Sequence, residues 1–161
     1  MAVSVNLKLN GAACRFEVEP DERLVETVRE KAGLTGTKLG CGVGECGACS
    51  VLLDGKLVCA CLVLAAQADG CEVFTVEGLA PGGRLSDLQR AFVEEGAVQC
   101  GYCTPGMLMA AEALLRRHKR PTGEQIRQGL AGNLCRCTGY TKIVAAVRKV
   151  AKRRAARGGR R

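Results

Sequence analysis

Apolar and polar residues alternate through the first part of the chain. Apolar side chains occupy every second position over residues 3–9 and again over residues 14–18. A period of two is typical of strands that bury one face. Asn10-Gly11 lies between the two stretches and favours a tight hairpin turn. The pattern therefore predicts that the chain begins with a β-hairpin.

A helix and three more strands are predicted next. Pro20-Asp21 ends the second strand, and apolar residues at helical spacing predict a helix from Asp21 to about Lys31. The further strands are predicted at residues 50–53, 56–64 and 71–76. A helix crossing over a mixed sheet predicts a β-grasp, ferredoxin-like domain over residues 1–78.

The periodicity changes after Gly78–Arg84, a stretch rich in Gly and Pro that we interpret as a domain boundary. Beyond it, apolar residues recur at helical spacing. Four helices are predicted, at residues 85–92, 106–118, 124–130 and 140–151. They predict an all-α four-helix domain over residues 83–151, so the fold class of the whole chain is α+β.

Charge changes this picture only at the C-terminal end. The formal net charge is +8, and the eight basic residues between Arg148 and Arg161 account for all of it, because the rest of the chain is neutral. Residues 152–161 therefore predict a basic, disordered tail. The alternative is that the tail binds nucleic acid or an acidic partner.

The cysteine content indicates metal chemistry. The chain has 11 cysteines, and a pure disulfide framework would leave one thiol of an odd number unpaired. No secretory signal pattern opens the chain, and no apolar run is long enough to cross a membrane. We therefore expect a cytoplasmic protein whose cysteines bind metal rather than form disulfides.

The first cysteine group is Cys41-Gly-Val-Gly-Glu-Cys46-Gly-Ala-Cys49, with C-x4-C-x2-C spacing. This is the spacing of a plant-type [2Fe–2S] site, and the glycines allow the tight backbone turn that such a cluster needs. Cys59 and Cys61 both follow at a suitable distance for a fourth ligand. A structural zinc loop is the alternative, although zinc sites usually pair their cysteines at closer spacing.

The second cysteine group combines a C-x2-C pair, Cys100 and Cys103, with a C-x-C pair, Cys135 and Cys137. Both pairs lie between predicted helices, whose positive ends stabilise thiolates. Because a C-x-C pair cannot reach far, we expect Cys135 and Cys137 to bind the same iron. Taken alone, the four thiols would also suit zinc; beside the first group, they favour a second [2Fe–2S] cluster.

Three long motifs, in this order, resemble the iron–sulfur subunit of the molybdenum hydroxylases. They are Gly36 to Cys49, Gln99 to Met107, and Gly132 to Tyr140. That family includes xanthine dehydrogenase, aldehyde oxidoreductases, carbon monoxide dehydrogenase and 4-hydroxybenzoyl-CoA reductase. The resemblance extends to about Val150, and its ferredoxin-like domain followed by a four-helix domain agrees with the predicted boundary.

The resemblance implies two ligand sets. Those of the first [2Fe–2S] cluster are Cys41, Cys46, Cys49 and Cys61, with the family spacing selecting Cys61 over Cys59. Those of the second are Cys100, Cys103, Cys135 and Cys137. Cys14, Cys59 and Cys71 remain, and we interpret them as small buried hydrophobic residues.

The resemblance also implies partners and an electron path. The second cluster would lie near molybdopterin on a large subunit, with Gln99 facing the pterin, and the first would face an FAD-binding medium subunit. Electrons would run from molybdenum to FAD, in a dimer of heterotrimers, with no substrate site on this chain. One alternative is the small subunit of a two-subunit aldehyde or N-heterocycle oxidoreductase that reduces a cytochrome. A remote alternative is a zinc-bearing nucleic-acid-binding module that uses the basic tail.

Overall fold

A five-stranded mixed sheet forms the first half of the molecule in the computed structural model, which describes residues 1–158. Its strands are β1 Val3–Leu9, β2 Ala12–Val18, β3 Ser50–Leu53, β4 Lys56–Cys59 and β5 Glu72–Phe74. The spatial order is β2-β1-β5-β3-β4. Only the β1–β5 pairing is parallel, and the other three neighbouring pairs are antiparallel.

The predicted N-terminal hairpin is confirmed. Strands β1 and β2 pair from Val3 opposite Val18 to Leu9 opposite Ala12. Asn10 and Gly11 have φ of 50° and 90°, the positive values that the tight hairpin turn requires. The alternation of β1 therefore buries one face of the hairpin.

The first helix begins later than predicted and is irregular. Helix α1 covers Leu24–Glu26 and continues directly as a π-helical segment, Thr27–Lys31. The Glu26 carboxylate accepts the Arg23 backbone N–H at 2.8 Å, which explains the later start. Leu24, Val25 and Val28 are buried together with the apolar face of the hairpin.

The strand predicted over residues 56–64 ends at Cys59. The Leu62 N–H donates to the Cys59 carbonyl, which turns the chain. The Ala60 N–H then bonds the Cys49 carbonyl, and the Ala60 carbonyl accepts from Val25. Because its backbone groups are used in this way, the segment turns beside the first cysteine loop instead of extending the sheet.

Four α-helices form the second half of the described chain. They are α2 Asp87–Glu94, α3 Thr104–Arg117, α4 Gly123–Leu130 and α5 Thr141–Gly158. Reciprocal capping fixes two starts, since Ser86 with Gln89 and Thr122 with Gln125 exchange side-chain and backbone hydrogen bonds. Helix α2 packs on α5, and α4 packs on both α3 and α5.

The two halves share a hydrophobic core. Leu52 on β3 is buried in the same cluster as Met107 of α3 and Ile143 of α5. Phe74 on β5 packs against that cluster as well. Strand β3 is therefore covered on both faces, and the ferredoxin-like sheet is held firmly against the helices.

The prediction of a disordered tail from residue 152 is wrong for residues 152–158, which continue helix α5. The Arg154 guanidinium bonds the Asp87 carboxylate at 2.8 and 2.9 Å and Glu112 at 2.9 Å. Acidic residues of α2 and α3 thus hold the basic helix in place. Residues 159–161 lie outside the described residues.

None of the helices described for this chain combines the length and apolarity needed to cross a membrane.

Candidate metal centres

The first cysteine group lies in a loop without regular structure that leads into β3. Cys41 is exposed, and its Sγ accepts the backbone N–H groups of Val43 and Cys46 at 3.4 Å each. These two bonds lower the pKa of the Cys41 thiol to about 6. Thiolate is the form that binds iron, so the loop backbone prepares this ligand before any metal arrives.

Glycine is required where the loop closes around its sulfurs. A Cβ on Gly40 would lie 2.8 Å from the Cys46 Sγ. A Cβ on Gly44, whose φ is +79°, would lie 2.3 Å from the Leu62 side chain. The positive φ of Gly44 and the nearness of Gly40 to the Cys46 sulfur therefore favour glycine at these positions, which fits a backbone wrapped around an inorganic cluster.

Three further thiols lie on the inner side of the loop. Cys49 and Cys61 are buried, with 1% and 3% of their surfaces exposed. Burial, together with the adjacent Cys61, raises the pKa of Cys49 to about 12. Cys59 is half-buried, and its thiol donates to the Gly44 carbonyl at 3.5 Å. The fold thus brings both candidate fourth ligands to the site, and the assignment to Cys61 stays a prediction.

The second group assembles from two loops. Cys100 and Cys103 precede α3, with Cys103 at its N-cap, and Cys135 and Cys137 lie between α4 and α5. All four thiols line one open hollow of about 430 Å³. The remaining lining residues are Tyr102, Leu134, Arg136 and Tyr140.

The thiols of this group approach in pairs that differ from the expected ones. The Sγ atoms of Cys137 and Cys100 are 3.6 Å apart, and the Cys103 and Cys135 thiols are near enough to shift each other's pKa. The close approach of Cys137 to Cys100 does not support the expectation that Cys135 and Cys137 bind one iron, and the assignment of cysteines to each iron stays a prediction. The backbone bends over residues 136–138, so the two side chains of the C-x-C pair turn to different partners.

The surroundings of Cys103 and Cys135 shift the pKa values of these two thiols in opposite directions. Burial raises the pKa of Cys103 to about 12. Burial also acts to raise the pKa of Cys135, but the Thr138 hydroxyl and backbone N–H bond its sulfur and lower the pKa to about 7. Across residues 1–158, no three Cys, His, Asp or Glu side chains converge where a single metal ion would sit.

Comparison with known proteins decides between the metals. A family model described as a 2Fe-2S iron-sulfur cluster binding domain matches residues 7–73, and one described as a [2Fe-2S] binding domain matches residues 75–148. The nicotinate dehydrogenase small FeS subunit of Eubacterium barkeri is 52% identical over 151 residues, which cover 94% of this chain and 96% of the relative.

The xanthine dehydrogenase iron-sulfur-binding subunit of Escherichia coli O157:H7 is 51% identical, over 90% of this chain and 92% of the relative. Among solved structures, quinoline 2-oxidoreductase from Pseudomonas putida 86 superposes with a TM-score of 0.93. It is 45% identical, with 98% of each chain covered. This chain belongs to the iron–sulfur subunits of the molybdenum hydroxylases.

Membership of this family makes the chain an electron-transfer subunit of an oxidoreductase with two [2Fe–2S]-binding domains. The zinc interpretation of the cysteine groups is thereby overturned. The residues also fit the clusters, because each group gathers at least four thiols at one site, the number that binds such a cluster.

The iron–sulfur subunit joins its two cysteine loops directly, a feature that the sequence analysis missed. The Leu134 N–H donates to the Cys46 carbonyl at 2.9 Å. The buried Asn133 amide donates to the Gly47 carbonyl at 2.8 Å and to the Ser50 hydroxyl at 3.1 Å. The only signal in the sequence was the place of Asn133 in the motif that begins at Gly132.

The other singled-out residues are more exposed than the candidate ligands on the inner side of the first loop. Gln99 is exposed and directly precedes Cys100. Cys14, Cys59 and Cys71 are half-buried, and Cys14 and Cys59 pack against the core of the ferredoxin-like half, so the prediction of buried hydrophobic residues holds in part for these two. Tyr102 donates its hydroxyl to the Leu39 carbonyl at 2.7 Å, which adds a second link between the cysteine loops.

Proposed function

We propose that this iron–sulfur subunit carries electrons from molybdopterin on a large partner subunit to FAD on a medium partner subunit. The second cysteine group would hold the cluster that receives electrons, and the first would hold the cluster that passes them on. When bound, the clusters supply one-electron transfer, and the chain supplies the thiolates and backbone donors that hold them. Gln99 would contact the pterin.

The observation that carries this proposal is that both cysteine groups reach the surface while their loops touch each other inside. Cys41 is exposed at one group, and Cys100 and Cys137 are exposed at the other. The Leu134–Cys46 hydrogen bond joins the two loops between them. Each cluster would thus have one side open to a partner and one side towards the other cluster.

Exposed apolar side chains accompany each group. Val43 and Leu62 are each 62% exposed beside the first, and Tyr102 and Leu134 are 49% and 55% exposed beside the second. Apolar side chains grouped in this way around a functional site are typical of surfaces that dock a partner. They support two docking surfaces, one for each flanking subunit.

Several finer statements belong to the same proposal. We propose that residues 1–78 and 83–151 are the two domains, with the four helices packed as a bundle. The break between the two matched family models, at residues 73 and 75, supports this division. We further propose a dimer of heterotrimers in the cytoplasm.

The electron order is tested by removing one cluster at a time from the complex purified with its native partners. Cys61→Ala disables the first cluster, Cys137→Ala the second, and Cys14→Ala is the control. We expect substrate to reduce the second cluster in Cys61→Ala while FAD stays oxidised. In Cys137→Ala, substrate should leave the first cluster oxidised. Nicotinate, xanthine and an aldehyde are each added as a substrate. EPR then measures the reduction of the two clusters, and flavin absorbance measures the reduction of FAD.

Three results would count against the proposal. If substrate reduces the first cluster in Cys137→Ala, electrons reach that cluster without passing through the second, which contradicts the proposed order of electron transfer. Retention of both EPR signals in Cys61→Ala or Cys137→Ala would show that the altered cysteine is not a ligand. A complex that purifies without an FAD subunit and reduces a cytochrome would replace the acceptor in the proposal.

A further inference from the structure

Three hydrogen bonds form a closed ring beside the second cysteine group. The Cys135 backbone N–H donates to the Tyr140 hydroxyl oxygen at 2.8 Å. The Tyr140 backbone N–H donates to the Thr138 Oγ1 at 3.3 Å. The Thr138 Oγ1 lies 3.0 Å from the Cys135 Sγ.

The ring determines where the Thr138 proton points. Since the Thr138 oxygen already accepts the Tyr140 N–H, its own hydrogen is free for the neighbouring sulfur. Tyr140 has a φ of 64°, a conformation that non-glycine residues rarely adopt, and the ring holds it there. The hydroxyl is therefore fixed towards Cys135 rather than rotating freely.

We propose that Thr138 is a positioning residue that sets the reduction potential of the second cluster through its hydroxyl bond to the Cys135 sulfur. This inference rests on the proposed function, because it takes Cys135 as a ligand of that cluster. A hydrogen bond to a ligand sulfur stabilises the added negative charge of the reduced cluster, which raises the potential.

The contact is distinctive among the candidate ligands. Cys41 also accepts two hydrogen bonds, but both come from backbone N–H groups. In the part of the chain that the structure describes, Cys135 is the candidate ligand whose sulfur receives a side-chain hydroxyl. Backbone donors are present whatever the side chain. The residue at position 138 can therefore change the reduction potential of the second cluster without affecting the first.

The test uses the purified complex with Thr138→Val, which keeps the side-chain shape and removes the hydroxyl. Thr138→Ser keeps the hydroxyl and is the matched control. Reduction is followed by EPR at controlled potentials, and the first cluster serves as an internal reference. We expect the potential of the second cluster to become more negative in Thr138→Val, while the first is unchanged and Thr138→Ser stays close to the unaltered complex.

An unchanged second potential in Thr138→Val would overturn the proposal, as would an equal shift of both clusters. Thr138→Ala is measured if Thr138→Val does not hold the second cluster. If neither variant holds it while Thr138→Ser does, the hydroxyl serves cluster binding and the proposal is wrong. Cys135→Ala separates this failure from that of the proposed function, because retention of the second EPR signal there would show that Cys135 is not a ligand.

Discussion

At the scale of single residues, small side chains decide how closely the cysteine loops approach each other. A Cβ on Gly47 would lie 2.3 Å from the Gly132 carbonyl oxygen, and one on Gly106 would lie 2.3 Å from the Gly47 carbonyl oxygen. Three glycines from distant parts of the sequence therefore meet where the ferredoxin-like half touches the helical half. A side chain at Gly47 or at Gly106 would push the two halves apart, whereas Gly132 contributes its carbonyl oxygen to the contact.

Gly47→Ala is expected to destabilise the subunit more than Gly55→Ala. Both residues have positive φ, +67° and +76°, so both substitutions carry the left-handed cost of about 1–2 kcal/mol. Of the two, only an added Cβ at Gly47 would meet backbone atoms. This overpacking adds about 1–3 kcal/mol to the loss of stability in Gly47→Ala. Thermal unfolding followed by circular dichroism measures the difference. Equal melting temperatures for the two variants would contradict the close contact at Gly47.

At the scale of elements, helix α5 shows how a charged segment becomes part of the fold. Lys149 and Arg153 bond carboxylates of α2, with nitrogen–oxygen distances of 2.9 and 3.1 Å to Glu94. Arg154 reaches both α2 and α3 through Asp87 and Glu112. The basic residues that suggested a solvated tail are thus the contacts that fasten α5 to its neighbours.

Arg154→Met is expected to destabilise the subunit by about 2 kcal/mol at pH 7, because it leaves two partly buried carboxylates without their partner. Lys152→Met is the control, since Lys152 is exposed on the same helix and outside the ion pairs of the described residues. Denaturant unfolding of both variants measures the loss.

The pH dependence of that loss follows from Asp87. Hydrogen bonds from Arg154 hold the pKa of the Asp87 carboxyl below its ordinary value. The stability from this pair is therefore present above the unfolded pKa of about 3.9 and disappears as the pH falls through the folded value. The difference between Arg154→Met and the unaltered chain should narrow below about pH 4. A constant difference down to pH 3 would contradict this role for Asp87.

At the scale of the whole molecule, short-range patterns were read correctly and long-range contacts were missed. The period of two over residues 3–9 and the Asn10-Gly11 turn predicted the hairpin, because neighbours in sequence determine both. The approach of Cys137 to Cys100, 37 positions apart in the sequence, depends instead on how the two loops fold against each other. Asn133 was missed because its partner Gly47 is 86 positions away, a relation that periodicity does not contain.

The contacts between the two halves also determine how strongly the two reduced clusters would interact magnetically. The Asn133 amide is 4% exposed and holds Gly47 and Ser50 of the first loop, while the adjacent Leu134 binds Cys46. Asn133→Ala is expected to cost about 1–3 kcal/mol, because two buried hydrogen bonds lose their donor. It should also weaken the magnetic interaction between the reduced clusters, as the loops move apart.

Asn10→Ala is the matched control for that prediction. Asn10 also bridges two groups with its amide, the Thr75 hydroxyl at 2.9 Å and the Thr75 N–H at 2.8 Å, but within the ferredoxin-like half. Its loss should lower stability without changing the interaction between clusters. Low-temperature EPR of both fully reduced complexes measures the splitting. A wild-type splitting in Asn133→Ala would show that the remaining contacts, Leu134 with Cys46 and Tyr102 with Leu39, keep the loops together without the amide.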